Sequence, residues 1–173
     1  MTNSQKEQVD SLFNQAWDED AADHFDEAIR LLMEAYDIDS EDADVLCNLA
    51  VAHINKKEYY SARYFSQKGL SIAPNCPYLL FNAAMSHLCY AGYSDYVESN
   101  LLHCLSLKPE YLDNPFLIEV VPPDALKRLR SKIQKSKSNG AIWMLGLAVL
   151  GASLGKMGQQ NYTSSIRKIN ENQ

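Results

Sequence analysis

The side chains that most often carry out chemistry are spread along this chain without the spacing of a catalytic or metal site. The four cysteines are Cys47, Cys76, Cys89 and Cys104. No two of them have the C-x-x-C spacing of a zinc or redox motif. Three fall within helical patterns, where cysteine acts as a small apolar side chain. We therefore expect structural thiols and a reducing compartment.

The histidines and glycines also fail to form a recognisable site. His53 and His87 occupy equivalent positions in two adjacent copies of an internal repeat and would stack, but further converging ligands for a metal are absent. Gly151 and Gly155-Lys156-Met157 lack the spacing and the following Ser or Thr of a phosphate loop. The sequence thus predicts no catalytic residue, no metal, no cofactor and no enzymatic activity.

Charge is distributed unevenly over the 173 residues. The net charge is −6, yet residues 1–44 carry 14 acidic and 2 basic side chains, whereas residues 111–173 carry 4 acidic and 9 basic ones. An acidic front argues against nucleic-acid binding and suggests different partners for the two ends, although acidic helix faces are often simply solvated. The first ten residues lack an apolar core, so we expect no secretory signal.

An internal repeat organises the chain, and its period of about 34 residues indicates stacked supersecondary units. Apolar residues at helical spacing, as in the second half of the first copy, predict a pair of amphipathic helices in each unit. Three columns of identical residues keep this register: Leu12, Leu46 and Leu80; Asn14, Asn48 and Asn82; Ala16, Ala50 and Ala84.

The middle copy resembles a tetratricopeptide repeat. The residues that carry this resemblance are Asn48-Leu49-Ala50, Tyr59, Ala62, Leu70, Ile72 and Pro74. Membership of that family implies an all-α fold, a right-handed superhelix of three helix-turn-helix repeats. The family also implies a non-catalytic module for protein–protein interaction.

The repeats are expected at about 9–42, 43–76 and 77–110. The third copy holds one extra residue, which we place near 90–93 with Gly92 in the turn. Pro122-Pro123-Asp124 begins a capping helix over 124–137, since proline is favoured in the first helical turn. The form of 111–121 stays open. The repeat domain is thus 1–137, and 138–173 contains a linker, an apolar tail helix and a polar end.

One face of each first helix is more apolar than a solvated face should be. At about 100° per residue, Asn14 lies on the side opposite Leu12, next to Phe13 and Trp17. The resemblance implies that this side lines a concave peptide-binding groove, in which asparagine would bind peptide backbone and large side chains would hold apolar groups. The alternative is packing between neighbouring helices. The groove residues are Phe13, Asn14, Trp17, Cys47, Asn48, Val51, Phe81, Asn82 and Met85.

Residues 141–155 carry no charge, and we expect 141–158 to anchor the chain in a membrane. A helix over this span is about 22–27 Å long, against a bilayer core of roughly 30 Å. Gly151 and Gly155 form a G-x-x-x-G pair that would allow a homodimer. A segment folded back onto the protein is the alternative. The membrane segment comprises Ile142, Trp143, Leu145, Leu147, Leu150, Gly151, Leu154 and Gly155.

The sequence therefore predicts an adaptor, assembly factor or chaperone that binds a peptide or amphipathic helix. Basic residues before the apolar run would keep the repeat domain on the cytoplasmic side of the membrane. The alternative is a soluble class II chaperone, because small acidic three-repeat proteins are similar to the translocator chaperones of bacterial type III secretion. In that case the apolar tail would fold onto the protein.

Overall fold

The computed structural model describes residues 2–138, and every element in that range is helical, as the sequence predicts. The apolar tail 141–158, its glycine pair and its membrane segment lie outside the described residues. A 3-10 turn at Pro109–Asp113 follows α6. The helices are α1 Asn3–Ala21, α2 Phe25–Ile38, α3 Ala43–Asn55, α4 Tyr59–Ile72, α5 Pro77–Ala91, α6 Asp95–Leu107, α7 Pro115–Val120 and α8 Pro123–Ser138.

The first six helices form three successive pairs. Within each pair the two helices pack along one another, and α2 packs on α3 and α4 on α5 between the pairs. Helices α3 and α5, the first helices of neighbouring pairs, are also in contact. This arrangement agrees with a helical-repeat solenoid. The tetratricopeptide repeat count and the right-handed twist of the stack stay predictions.

The turn inside each pair places one residue in the left-handed region of backbone space. These residues are Asp23 (φ 63°), Lys57 (φ 65°) and Gly92 (φ 83°). The first two are separated by one repeat period, whereas Gly92 comes one residue later than that register. The structure thus has the additional residue of the third copy where the sequence places it, and glycine there avoids the steric cost of a side chain.

Helix α1 begins at Asn3, six residues before the expected start of the first repeat. The Thr2 side chain accepts a hydrogen bond from the Gln5 backbone N–H at 3.2 Å. The Thr2 N–H donates to the Gln5 side chain at 2.9 Å. This capping box satisfies two backbone groups that a helix end leaves without partners, so the helix extends further than the repeat pattern suggests.

The segment after α6 closes the end of the stack. Helix α8 packs on α6, α7 contacts α5, and Leu117 and Leu129 are fully buried. The predicted capping helix is therefore present with nearly the expected bounds. The connector between it and the third pair forms the 3-10 turn and α7. Within residues 2–138, no helix is both long enough and apolar enough to cross a membrane.

Candidate functional site

The first candidate surface lies on α1, where aromatic and acidic side chains share one face. Asp10, Phe13, Trp17 and Asp20 follow one another at three- and four-residue spacings, so they form a single stripe. Phe13 and Trp17 are half-buried, and Asn14 beside them is exposed. Phe13 packs against the core formed by the first two pairs. The stripe therefore offers partly accessible aromatic surface between carboxylates.

Asp20 connects this stripe to the second pair. Its side chain is only 8% exposed, and both of its carboxylate oxygens accept from the Asn55 amide nitrogen at 3.0 Å. Asn55 ends α3, so the bond joins the first helices of two neighbouring pairs. A buried carboxylate without such partners would be strongly destabilising. Asp20 is thus a structural link at the edge of the candidate surface.

The surface continues on α3 with Asp44, Cys47, Asn48 and Val51, all of which are half-buried. The Asn48 amide nitrogen donates to the Asp44 carbonyl oxygen at 2.8 Å within the same helix. This bond uses one amide donor and holds the side chain along the helix. Burial, with a smaller contribution from Asp42, raises the pKa of Asp44 above its ordinary value.

The third pair does not continue this accessible surface. Phe81, Asn82 and Met85 are at most 1% exposed, so they are core residues rather than lining of an open groove. The Tyr111 ring lies 5.0 Å from the Phe81 ring, and Phe116 joins the same cluster. Large apolar side chains here are covered by the chain itself, because burying them removes apolar area from water.

Asn82 shows the same change of role at atomic detail. Its amide nitrogen donates to the Cys47 backbone oxygen at 3.4 Å and contacts the Cys47 sulfur at 3.6 Å. The amide therefore binds α3 instead of offering its donors to a peptide. The predicted row of three groove asparagines reduces to Asn14 and Asn48 in this structure.

The histidines form structural pairs across the turns. His53 Nδ1 lies 2.7 Å from a Glu58 carboxylate oxygen, and His24 Nδ1 lies 2.8 Å from Glu19. Positions 19 and 53 are equivalent in the repeat, as are 24 and 58, so the two turns use the same pair with its members exchanged. The third turn has Gly92 and Tyr93 where the second has Glu58, so it holds no carboxylate at this place, and His87 Nδ1 is buried without a hydrogen bond.

The cysteines are free thiols in the described part of the chain. Cys76 and Cys104 are buried, and burial raises the pKa of both thiols. Such thiols stay protonated and react slowly. No group of three or more potential His, Cys, Asp or Glu ligands capable of holding a metal occurs between residues 2 and 138.

Sequence reasoning misses the acidic members of the surface, because composition alone places the carboxylates of residues 1–44 on turns and solvated faces. The relevant signal is their spacing. Asp10 and Asp20 lie at helical intervals from Phe13 and Trp17, and Asp44 precedes Asn48 by one turn. The covering segment, 111–121, is missed as well, since it has no repeat counterpart that could identify it.

Comparison with known proteins assigns the family. No curated protein matches the chain. The family model of the coatomer epsilon subunit matches residues 1–108, which is more than half of the sequence and includes all three helix pairs. This is a helical-repeat family of coat components, which agrees with the predicted interaction scaffold and gives no support to the secretion-chaperone alternative. The chain belongs to the coatomer epsilon subunit family.

Proposed function

We propose that this protein is a non-catalytic scaffold that binds a partner protein along the face formed by α1 and α3. The observation that carries this proposal is the partly accessible surface of Phe13, Asn14, Trp17, Asn48 and Val51. Aromatic side chains that are half-buried in a rigid helical frame make effective anchors at interfaces, since little conformational entropy is lost on binding. Cys47 borders this surface on the side of the third pair, where its backbone oxygen accepts the hydrogen bond from Asn82.

The chemistry of this surface specifies its partner further. Asp10 and Asp44 flank the aromatic and aliphatic residues, and residues 1–44 carry 14 acidic side chains against 2 basic ones. A peptide or amphipathic helix with apolar side chains flanked by Lys or Arg would match both properties. Complementary charge of this kind mainly raises the association rate and disfavours acidic partners, and its contribution to affinity is smaller.

Family membership supports an interaction within a coat. A coatomer epsilon subunit is by name one subunit of a larger assembly, so we propose that the partner is another coatomer subunit on the cytoplasmic face of a membrane. The face on α1 and α3 would then be an assembly surface within the coat.

The test is capture of coatomer subunits by the purified protein, quantified by mass spectrometry. Trp17→Ala should reduce capture strongly, since truncating an interface anchor commonly costs about 2 kcal/mol or more, roughly 30-fold in affinity. Tyr60→Ala is the matched control, because Tyr60 is a 70% exposed aromatic residue on α4. Equal capture by both variants, with helical circular dichroism retained, would exclude this face as the assembly surface.

We also propose that residues 141–158 attach the protein to the membrane. The support is in the sequence, because an uncharged run at 141–155 follows a basic segment. Alkaline carbonate extraction tests this tether. The full chain should stay in the membrane pellet, and a full-length variant with Leu147→Asp and Leu150→Asp should be released. Release of both would favour a tail docked on the protein, and release of neither would place the attachment outside these residues.

A further inference from the structure

Helix α8 has an apolar face, but that face is already used. Ala125, Leu129 and Ile133 are at most 4% exposed and belong to the core that also contains α5 and α6. An isolated basic amphipathic helix would insert such a face into the headgroup region of a bilayer. This helix cannot do so while it is folded on α6, so any contact with a lipid surface must be electrostatic.

The solvent side of α8 is strongly basic. Between 123 and 136 the helix carries five basic side chains and one acidic one, Asp124. Lys132 and Arg128 both reach Glu98 of α6, at 2.5 Å and 3.6 Å, and Arg130 lies 3.8 Å from Asp113. Glu98 is thus shared by two cations, and the five basic side chains of α8 outnumber the three carboxylates Asp124, Glu98 and Asp113. Lys127 and Lys135 are exposed members of this basic set. The outward face therefore keeps an excess of positive charge.

The position of α8 relative to the apolar run limits its distance from a membrane. The helix ends at Ser138, and the uncharged run begins at residue 141. Three residue steps span at most about 10 Å even when fully extended. The screening length at physiological salt is about 8 Å. If the tail is in the bilayer, as the proposed tether requires, the end of α8 must lie within or near the range of the surface potential.

We propose that the outward face of α8 docks on an anionic lipid surface. Clusters of Lys and Arg immediately before a membrane segment bind acidic headgroups in this way. The acidic front of the chain would be repelled by the same surface, so the docked protein presents α1 and α3 to its protein partner. This inference rests on the proposed tether, which holds α8 near the membrane, and it adds the class of lipid and the orientation of the protein. The family model does not include α8, since the match ends at residue 108.

The experiment is flotation of the purified full chain with two kinds of vesicle, phosphatidylcholine alone and phosphatidylcholine with phosphatidylserine. Binding to the neutral vesicles measures membrane attachment through the tail. The additional binding to vesicles with phosphatidylserine measures the electrostatic contribution of α8. Lys127→Gln with Lys135→Gln should reduce the additional binding about 25-fold, roughly fivefold for each lysine. Raising salt from about 0.1 M to about 1 M should remove it, because the screening length falls from about 10 Å to about 3 Å.

The matched control is Lys6→Gln with Lys57→Gln, which removes the same charge from two lysines away from α8. It should bind as the unmodified chain does, and circular dichroism should be unchanged in both variants. Equal binding to the two kinds of vesicle, or equal loss in the two variants, would overturn the docking and leave the tether standing. Lysine-dependent binding to phosphatidylserine vesicles without binding to neutral ones would support the docking and overturn the tether.

Two further outcomes would exclude a lipid surface. Binding to neither kind of vesicle would overturn both the docking and the tether. Dimerisation of the full chain without vesicles, detected by light scattering and lost in the Lys127 and Lys135 variant, would assign the basic face to the acidic front of a second copy.

Discussion

The second and third helix pairs share a repeat pattern but expose different surfaces. In the second pair, Cys47, Asn48 and Val51 remain half-buried on α3, whereas their equivalents Phe81, Asn82 and Met85 on α5 are buried. The difference comes from the segment after α6. Its buried residues, Tyr111, Phe116 and Leu117, cover α5, and the described structure places no comparable segment over α1 or most of α3. The same repeat position thus serves as candidate surface in one pair and as core in the next.

This difference divides the molecule into a region with a partly accessible face and a closed end. The family match ends at residue 108, just before the covering segment begins. The shared repeats therefore provide the frame and the candidate surface, and the residues after them determine how much of that surface is available. Substitutions in the two regions should have different effects, the largest of them in the covering segment.

The covering segment should be the most sensitive. Leu117 is fully buried, so Leu117→Ala should lower the free energy of unfolding by about 2–5 kcal/mol, measured by urea denaturation. Its neighbour Ile118 is 45% exposed, and Ile118→Ala should change the value by about 0.5 kcal/mol or less. If Leu117→Ala left global stability unchanged and increased hydrogen exchange only in α7, the cover would be a separable flap rather than part of the core.

The turns should respond in opposite directions. Gly92→Ala introduces a side chain at φ 83° and should lower the free energy of unfolding by about 1–2 kcal/mol, since no neighbouring atom lies within 4 Å to add a clash. Lys57 has a φ of 65°, and glycine adopts this conformation without the steric cost of a side chain. Lys57→Gly should therefore raise the free energy of unfolding by a few tenths to about 1 kcal/mol. Thermal denaturation of the two variants checks this. A loss of stability in both would mean that the Lys57 side chain makes contacts that outweigh its backbone strain.

The contact between α4 and α5, where the second pair meets the third, should tolerate little added side-chain volume. A Cβ atom at Gly69 would lie 2.6 Å and 2.8 Å from the methyl groups of Leu79, which is fully buried. Overpacking of this kind costs about 1–3 kcal/mol, and alanine's better helix propensity returns about 1 kcal/mol. Gly69→Ala should therefore destabilise by about 1 kcal/mol in urea denaturation, whereas Ser71→Ala on the exposed side of α4 should not. A stabilised Gly69→Ala variant would show that α5 can move away from α4.

The smallest expected effect is a pH dependence in the second turn. Burial lowers the pKa of His53 below its ordinary value of 6.5, with Glu58 opposing and Lys56 reinforcing the shift. As pH falls below 6.5, His53 of the unfolded chain binds a proton more readily than His53 of the folded chain, and this favours unfolding. The contribution of His53 to the free energy of unfolding is therefore fully present above pH 6.5 and is lost as pH falls. His53→Gln should flatten the decline in melting temperature between about pH 7 and 5. If the melting temperature of the variant declined as steeply as that of the unmodified protein, groups other than His53 would cause the pH dependence.

The repeat frame could be predicted from the sequence because one period recurs in three columns, and the extra residue could be placed because Leu80, Asn82 and Ala84 keep the register. The cover could not be predicted. Its helix spans only Pro115–Val120, less than two turns, so no periodicity is available to read. Helical angles identified which face Phe81 and Met85 occupy, but angles alone cannot show whether that face contacts solvent or another segment.

The exchanged pairs at the first two turns illustrate a second limit. A comparison of columns at the repeat period records Glu19 and His53 as different residues, and likewise His24 and Glu58. The contact is nevertheless kept, because either order joins an imidazole nitrogen to a carboxylate. Residue identities compared at the repeat period therefore do not reveal interactions whose partners have changed places, and the common contact is visible only in the folded structure.

The closed end of the stack also bears on how copies of the protein can associate. A helical array that ends in a bare apolar helix could stack against the first helix of another copy, and such a head-to-tail contact repeats without limit and produces filaments. Here Leu129 and Ile133 of α8 seal that end, and the outer side of α8 is charged. A charged cap of this kind disfavours open-ended stacking through α8, which suits a subunit that occupies one position in a larger assembly.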